Sequence, residues 1–167
     1  MGINEVKYEN VILYLISQMQ DMTIHGRKKL AKLLYYVDFD RFEYKESMET
    51  ITGDEYRHLP MGPVPDMFRQ VAQRMQSEGK LTIHEEREYA GLRPTTIYRA
   101  NVKPDMSVFD EDEKCILRRV ARLYGPLTGK ELENKSHTEA PWLGIEEGEH
   151  IPFELAFYRE TDFSDAD

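Results

Sequence analysis

Five histidines, one cysteine and several closely spaced carboxylates are the residues of this chain whose types could do chemistry. The histidines stand at His25, His58, His84, His137 and His150, and none makes a recognised ligand pair. A metalloprotease helix needs two histidines four residues apart with a glutamate beside the first, and that pattern is absent. His137-Thr-Glu139 looks like the His-x-Glu of zinc deaminases, whose metal also requires a Pro-Cys-x-x-Cys segment; Cys115 is the only cysteine. The same count excludes an internal disulfide and a multi-thiolate zinc site, leaving Cys115 as an expected buried core thiol. Ser136 adjoins His137 without a Gly-x-Ser-x-Gly elbow, and Gly125-Pro-Leu-Thr-Gly129 lacks the lysine-serine end of a phosphate loop. Asp38 and Asp40, two apart, face different sides of a helix. No catalytic residue, metal ligand or cofactor is therefore expected. A small hydrolase using His137 and Glu139 would need a cleft that brings a nucleophile within hydrogen-bond reach of His137.

Two segments carry more information than these scattered groups. Gly53-Asp-Glu-Tyr-Arg-His-Leu-Pro-Met-Gly-Pro-Val-Pro65 holds three prolines, which fix φ and remove amide donors, and Gly62, which tolerates backbone angles closed to other residues. It reads as an ordered corner between a strand and the following helix. Ser136-His-Thr-Glu-Ala-Pro-Trp142 contains the only tryptophan, which could be a buried anchor or half of an exposed recognition patch. The core reading is preferred for Trp142, and a cap or satisfied polar pair for His137 and Glu139.

The elements that must position these segments follow from periodicity. Tyr8, Val11, Ile12, Leu15, Ile16 and Met19 predict an amphipathic helix over 5–20, followed by a polar break at Asp21 to Gly26. A second helix, 27–44, carries two apolar stripes, one of Leu30, Leu33, Leu34 and Val37 and one of Tyr35, Phe39 and Phe42; it should be central. A third, 66–79, ends at Gly79. Residues 81–84 and 95–99 read as a hairpin whose charged loop, Glu85 to Glu88, faces water. Asp110 with Glu113, and Thr128 with Glu131, are capping pairs for a fourth helix, stopped by Gly125-Pro126, and a short fifth. The expected fold is α+β and predominantly helical, with about five helices and a small antiparallel hairpin. One domain spans 1–161, and 162–167 is an acidic tail expected to fray.

Composition narrows the function classes. The chain has 167 residues, 40% of them apolar, enough for a real core. It shows no apolar stretch of membrane-spanning length and no signal-peptide pattern in its first twenty residues, so a cytoplasmic protein is expected. A formal charge of −9 disfavours nucleic acid as a partner. Arg27, Lys28, Lys29 and Lys32 make a local basic cluster, read by default as a solvated helix face.

Taken together, three segments resemble the Panacea antitoxin domain, also called the SocA-like antitoxin domain, of bacterial and phage genomes. Lys32-Leu-Leu-Tyr-Tyr-Val-Asp38 looks like its central helix, Gly53-Asp-Glu-Tyr56 with Gly62-Pro-Val-Pro65 like its aromatic and Gly-Pro-Val corner, and Ser136-His137 to Trp142 like its His-x-Glu-x-Pro-Trp segment. Order and spacing agree over roughly residues 8–143. The resemblance implies a binder and not an enzyme: an antitoxin that neutralises a cognate toxin by direct contact, in some relatives presenting it to a cellular protease. It implies Tyr35, Asp38, Tyr56, Gly62, Pro63, Val64, His137, Glu139 and Trp142 as motif positions, serving toxin contact or fold maintenance. Some relatives carry a separate helix-turn-helix, for which this chain has no room. The alternative is a winged-helix-like nucleic-acid-binding regulator, suggested by the short helices, the basic cluster and the hairpin.

Overall fold

A computed structural model describes residues 2–87, 91 and 93–166 of the chain. Its helices are α1 (Glu5–Ser17), α2 (Arg27–Glu43), α3 (Phe68–Ser77), α4 (Glu111–Tyr124), α5 (Gly129–Ser136) and α6 (Ala140–Leu143), joined by a long 3-10 helix (Phe153–Arg159). Among the described residues that makes seven helices rather than the expected five, besides three single-turn 3-10 segments. The strands are β1 (Thr23–His25), β2 (Tyr56–Leu59), β3 (Gly62–Pro65), β4 (Leu81–Glu86) and β5 (Thr95–Ala100), forming antiparallel sheets β1-β5-β4 and β2-β3. Among the described residues no helix is long and apolar enough to cross a membrane.

Helix α2 is the axis of the domain. Every residue from Leu30 to Glu43 is buried, so both apolar stripes find neighbours: α1, α4 and α5, strand β3 and the C-terminal 3-10 helix pack around it. Its buried charges are paired over long range. Asp40 accepts from Arg119 on α4 at 2.9 Å and from Arg159 at 2.8 Å, while Glu43 takes Arg159 at 2.7 Å. Asp38, two residues from Asp40, faces the opposite way, toward residues 51–56. The acidic end is tied to the same cluster, with Asp165 accepting from Arg119 Nε at 2.8 Å and Phe163 under the Arg119 guanidinium. Asp167 lies outside the described residues.

Both capping boxes form, Asp110 with Glu113 on α4 and Thr128 with Glu131 on α5. Three expectations need correction. The break at Asp21 to Gly26 contains a strand, because Thr23 to His25 pair with Ile97 to Arg99 and extend the β4–β5 hairpin to three strands. The corner ahead of α3 is itself a strand: Gly62 to Pro65 pair with Tyr56 to Leu59 across a Pro60-Met61 turn. Prolines are tolerated there because Pro63 and Pro65 stand opposite His58 and Tyr56, whose own backbone groups bond to Gly148, Glu149 and Ile151 on the far side. Cys115 is half-buried instead of a core thiol, with Arg118 Nη2 at 3.5 Å from its sulfur. Glu85 and Glu86 are exposed as expected; Glu88 lies outside the described residues.

Candidate functional site

The three motif segments converge on α2, between Lys32 and Asp38. The first junction is Asp38. One carboxylate oxygen accepts the backbone N–H of Ile51 (2.9 Å) and Thr52 (3.0 Å); the other accepts the Thr52 hydroxyl and the Tyr56 hydroxyl, the latter at 2.6 Å. Burial pushes the Asp38 carboxyl up and these donors oppose it. A second carboxylate, Asp54, takes the Tyr8 hydroxyl at 2.7 Å and the N–H of Met67 at 2.9 Å, tying the loop to α1 and to the start of α3. The two carboxylates hold residues 51–56 where they feed β2.

The second junction is Lys32 beneath Gly62. Lys32 is fully buried, its Nζ donating to the Pro63 carbonyl at 3.0 Å, and burial pushes its pKa down to about 8. Gly62 has φ +111°, and a Cβ built there would lie 2.5 Å from Lys32 Cε and 3.0 Å from Ser136 Oγ. Only glycine lets β3 pass this close to α2 and α5. The expectation that Lys32 belongs to a solvated face is thus corrected: a lysine stem is long enough to run under the strand and satisfy a proline carbonyl that β2 does not reach.

The third junction is the His-x-Glu-x-Pro-Trp segment. Glu139 accepts the hydroxyls of Tyr35 (2.8 Å) and Tyr36 (3.1 Å), with Arg159 at 3.6 Å and Lys135 at 3.2 Å. Burial and this carboxylate hold both tyrosines well above their usual range. Trp142 stacks on His137 with ring centroids 4.0 Å apart and meets His58 edge-on at 4.3 Å, its indole N–H directed to the Leu59 carbonyl at 3.4 Å. Trp142 is half-buried, a bridge between α6 and the β2–β3 hairpin. His137 Nε2 and both ring nitrogens of His58 are buried without partners among the described residues, and burial lowers the His137 pKa.

Of the motif residues, Tyr35, Asp38, Tyr56, Gly62 and Pro63 are buried, while Val64, His137, Glu139 and Trp142 are half-buried. The Ser136 hydroxyl, next to His137 in sequence, donates to the Glu133 carbonyl at 2.9 Å. Glu55, Asp66 and His150 bring three potential metal-ligand atoms together on the surface. The position already holds a cation, because Arg57 reaches His150 Nε2 at 3.0 Å and Asp66 at 3.5 Å.

Beside the hairpin, a groove of about 780 Å³ opens between α2, the β2–β3 hairpin and α3. Ala31, Leu59, Pro60, Met61, Val64 and Phe68 line it, together with Arg27, Lys28, Lys32, Arg69 and Asp66. Met61, at the hairpin turn, is 54% exposed. Arg69 carries no sequence signal, since a lone arginine on an amphipathic helix does not mark a groove. Arg27 and Lys28 were visible only as part of a basic run.

No curated protein and no solved structure matches this chain. A family model described as "Antitoxin SocA-like, Panacea domain" matches residues 30–143, a span that contains the Asp38 junction, the Gly-Pro-Val strand and the Glu139–Trp142 clasp, and the chain belongs to that family.

Proposed function

We propose that the protein is an antitoxin that neutralises a toxin encoded beside it by binding it directly, without catalysis. The family match over residues 30–143 carries this reading. A hairpin that offers exposed Met61 beside an apolar groove agrees with it. Motif residues such as Asp38, Tyr56 and Glu139 then serve the toxin indirectly, by holding the hairpin in place. Delivery of the bound toxin to a protease is an extension of the same binding. Co-expression with the neighbouring gene tests the proposal: growth inhibition by that gene alone should be relieved by this protein, and persistent inhibition beside soluble, folded protein refutes it.

One observation favours a second reading, nucleic-acid binding. Omitting the β2–β3 hairpin, the chain runs α1-β1-α2-α3-β4-β5 with sheet order β1-β5-β4, the connectivity of a winged helix. The outward residues of α3 are Arg69, Gln70, Gln73 and Gln76, types that read base edges, and the helix contains no carboxylate. The charge of −9 opposes it. Retention on duplex DNA that falls steeply with salt would support this reading, and no binding at low salt would remove it.

A further inference from the structure

We infer that the groove between α2, the β2–β3 hairpin and α3 receives an acidic segment of the toxin that carries an apolar anchor, a statement that rests on the antitoxin reading. The argument is one of unanswered charge. The chain has 31 acidic against 22 basic residues, and several of its surface cations are answered by a carboxylate. Lys7 pairs with Glu113 at 2.8 Å, Lys80 with Glu9 at 2.9 Å and Lys45 with Asp112 at 2.7 Å. Arg27 and Arg69, both exposed and both lining this groove, pair with no carboxylate among the described residues. Arg27 is engaged only with the Tyr98 hydroxyl.

The carboxylate that lines the groove and the one that pairs with its Lys28 are both already taken. Asp66 is held by His150 at 2.6 Å and Arg57 at 3.5 Å, and Glu133 by Lys28 at 2.9 Å. Lys32, beneath the strand, spends one donor on Pro63 and lends the groove further positive potential. Two unpaired guanidinium groups beside a concave surface of Leu59, Met61 and Val64 suit a peptide whose carboxylates meet the arginines while an apolar side chain fills the hollow. A phosphodiester backbone fits less well. Much of the lining is apolar, Lys32 is out of reach at 0% exposure, and the rest of the chain repels polyanions.

The test begins with a phage-displayed library of random short peptides, selected on the whole protein and then compared with the double variant Arg27→Glu, Arg69→Glu. Recovered peptides should combine aspartate or glutamate with an apolar residue. By fluorescence anisotropy they should bind about tenfold more weakly to the double variant and to Met61→Asp, and keep their affinity for the remote control Lys103→Glu. Peptides without acidic residues, peptides that bind the double variant equally, or no recovered peptide at all would each overturn the inference. So would an Arg27- and Arg69-dependent affinity for random-sequence duplex DNA exceeding that for every peptide, measured at about 50 and 200 mM salt. Co-expression separates the two levels of the claim. Wild type and double variant neutralising the neighbouring gene product equally well sinks the groove and leaves the antitoxin reading standing. Failure of the wild type, with the peptides still groove-dependent, sinks the antitoxin reading and with it the toxin as occupant, and leaves only a groove that takes acidic peptides with an apolar anchor.

Discussion

Replacing Gly62 with alanine should unfold the hairpin from α2, and the size of the effect can be worked from the contacts. The backbone there has φ +111°, a region that residues with a Cβ adopt at a cost of order 1–3 kcal/mol. The added methyl would lie 2.5 Å from Lys32 Cε and 3.0 Å from Ser136 Oγ, an overpacking worth roughly a further 1–3 kcal/mol because Lys32 is buried and cannot swing into solvent. At roughly 2–4 °C per kcal/mol for a chain of this size, the Tm should fall on the order of 10 °C. Gly148→Ala is the internal control. Its φ is +89° with nothing within 4 Å of the built Cβ, so it should show the backbone part of the loss alone. Combining Gly62→Ala with Lys32→Ala removes the obstructing atoms, and the double variant should be more stable than the sum of the single losses by about 1–3 kcal/mol. Calorimetry of the four proteins measures this. A Gly62→Ala protein that melts with the wild type, or a strictly additive cycle, would refute the packing account of the corner. Since the substitution acts on the fold, exposed Met61 is the better probe of an interface.

Other outcomes follow from the same contacts. Asp38→Ala strands the buried N–H groups of Ile51 and Thr52 and two hydroxyls, and should cost about 3–5 kcal/mol in urea unfolding; Asp38→Asn should recover part of it. Lys32 has a folded pKa of about 8 against an ordinary 10.5, so the unfolded chain binds the extra proton between those values and stability should rise with pH from about 8 toward 10. The full effect is about 3 kcal/mol, and Lys32→Met should abolish the rise in urea midpoint. Protonated histidine quenches indole, so Trp142 fluorescence should drop on acidification with a midpoint below 6.5, and His137→Gln should remove that transition.

The parts of the fold legible in sequence were those governed by local chemistry. The α1 stripe, the two capping boxes and the doubly apolar α2 depend on residues within a few turns of each other, and each has the helical form expected. Strand β1 was hidden because three residues carry no period, and its existence depends on β5 far along the chain. Gly62 to Pro65 reads in sequence as a corner because prolines argue against strands; what permits them is the 148–151 segment, which takes the outward bonds of β2. The same distance hid the candidate site. Glu139 bonding Tyr35 joins residues 104 apart, and the Arg27–Arg69 groove needs α2 and α3 placed side by side by the intervening hairpin. Motif spacing identified the family, while the charge on that groove became visible only once the pairs of Asp66 and Glu133 were in place.

The central claim is that this protein silences a toxin by holding it. Tagged protein and the neighbouring gene product should be co-expressed in a growth assay and then passed over a size-exclusion column. The account predicts restored growth and co-elution of the two chains, both lost with Arg27→Glu, Arg69→Glu. Continued growth arrest beside soluble, folded wild-type protein, or rescue without any complex, would contradict it.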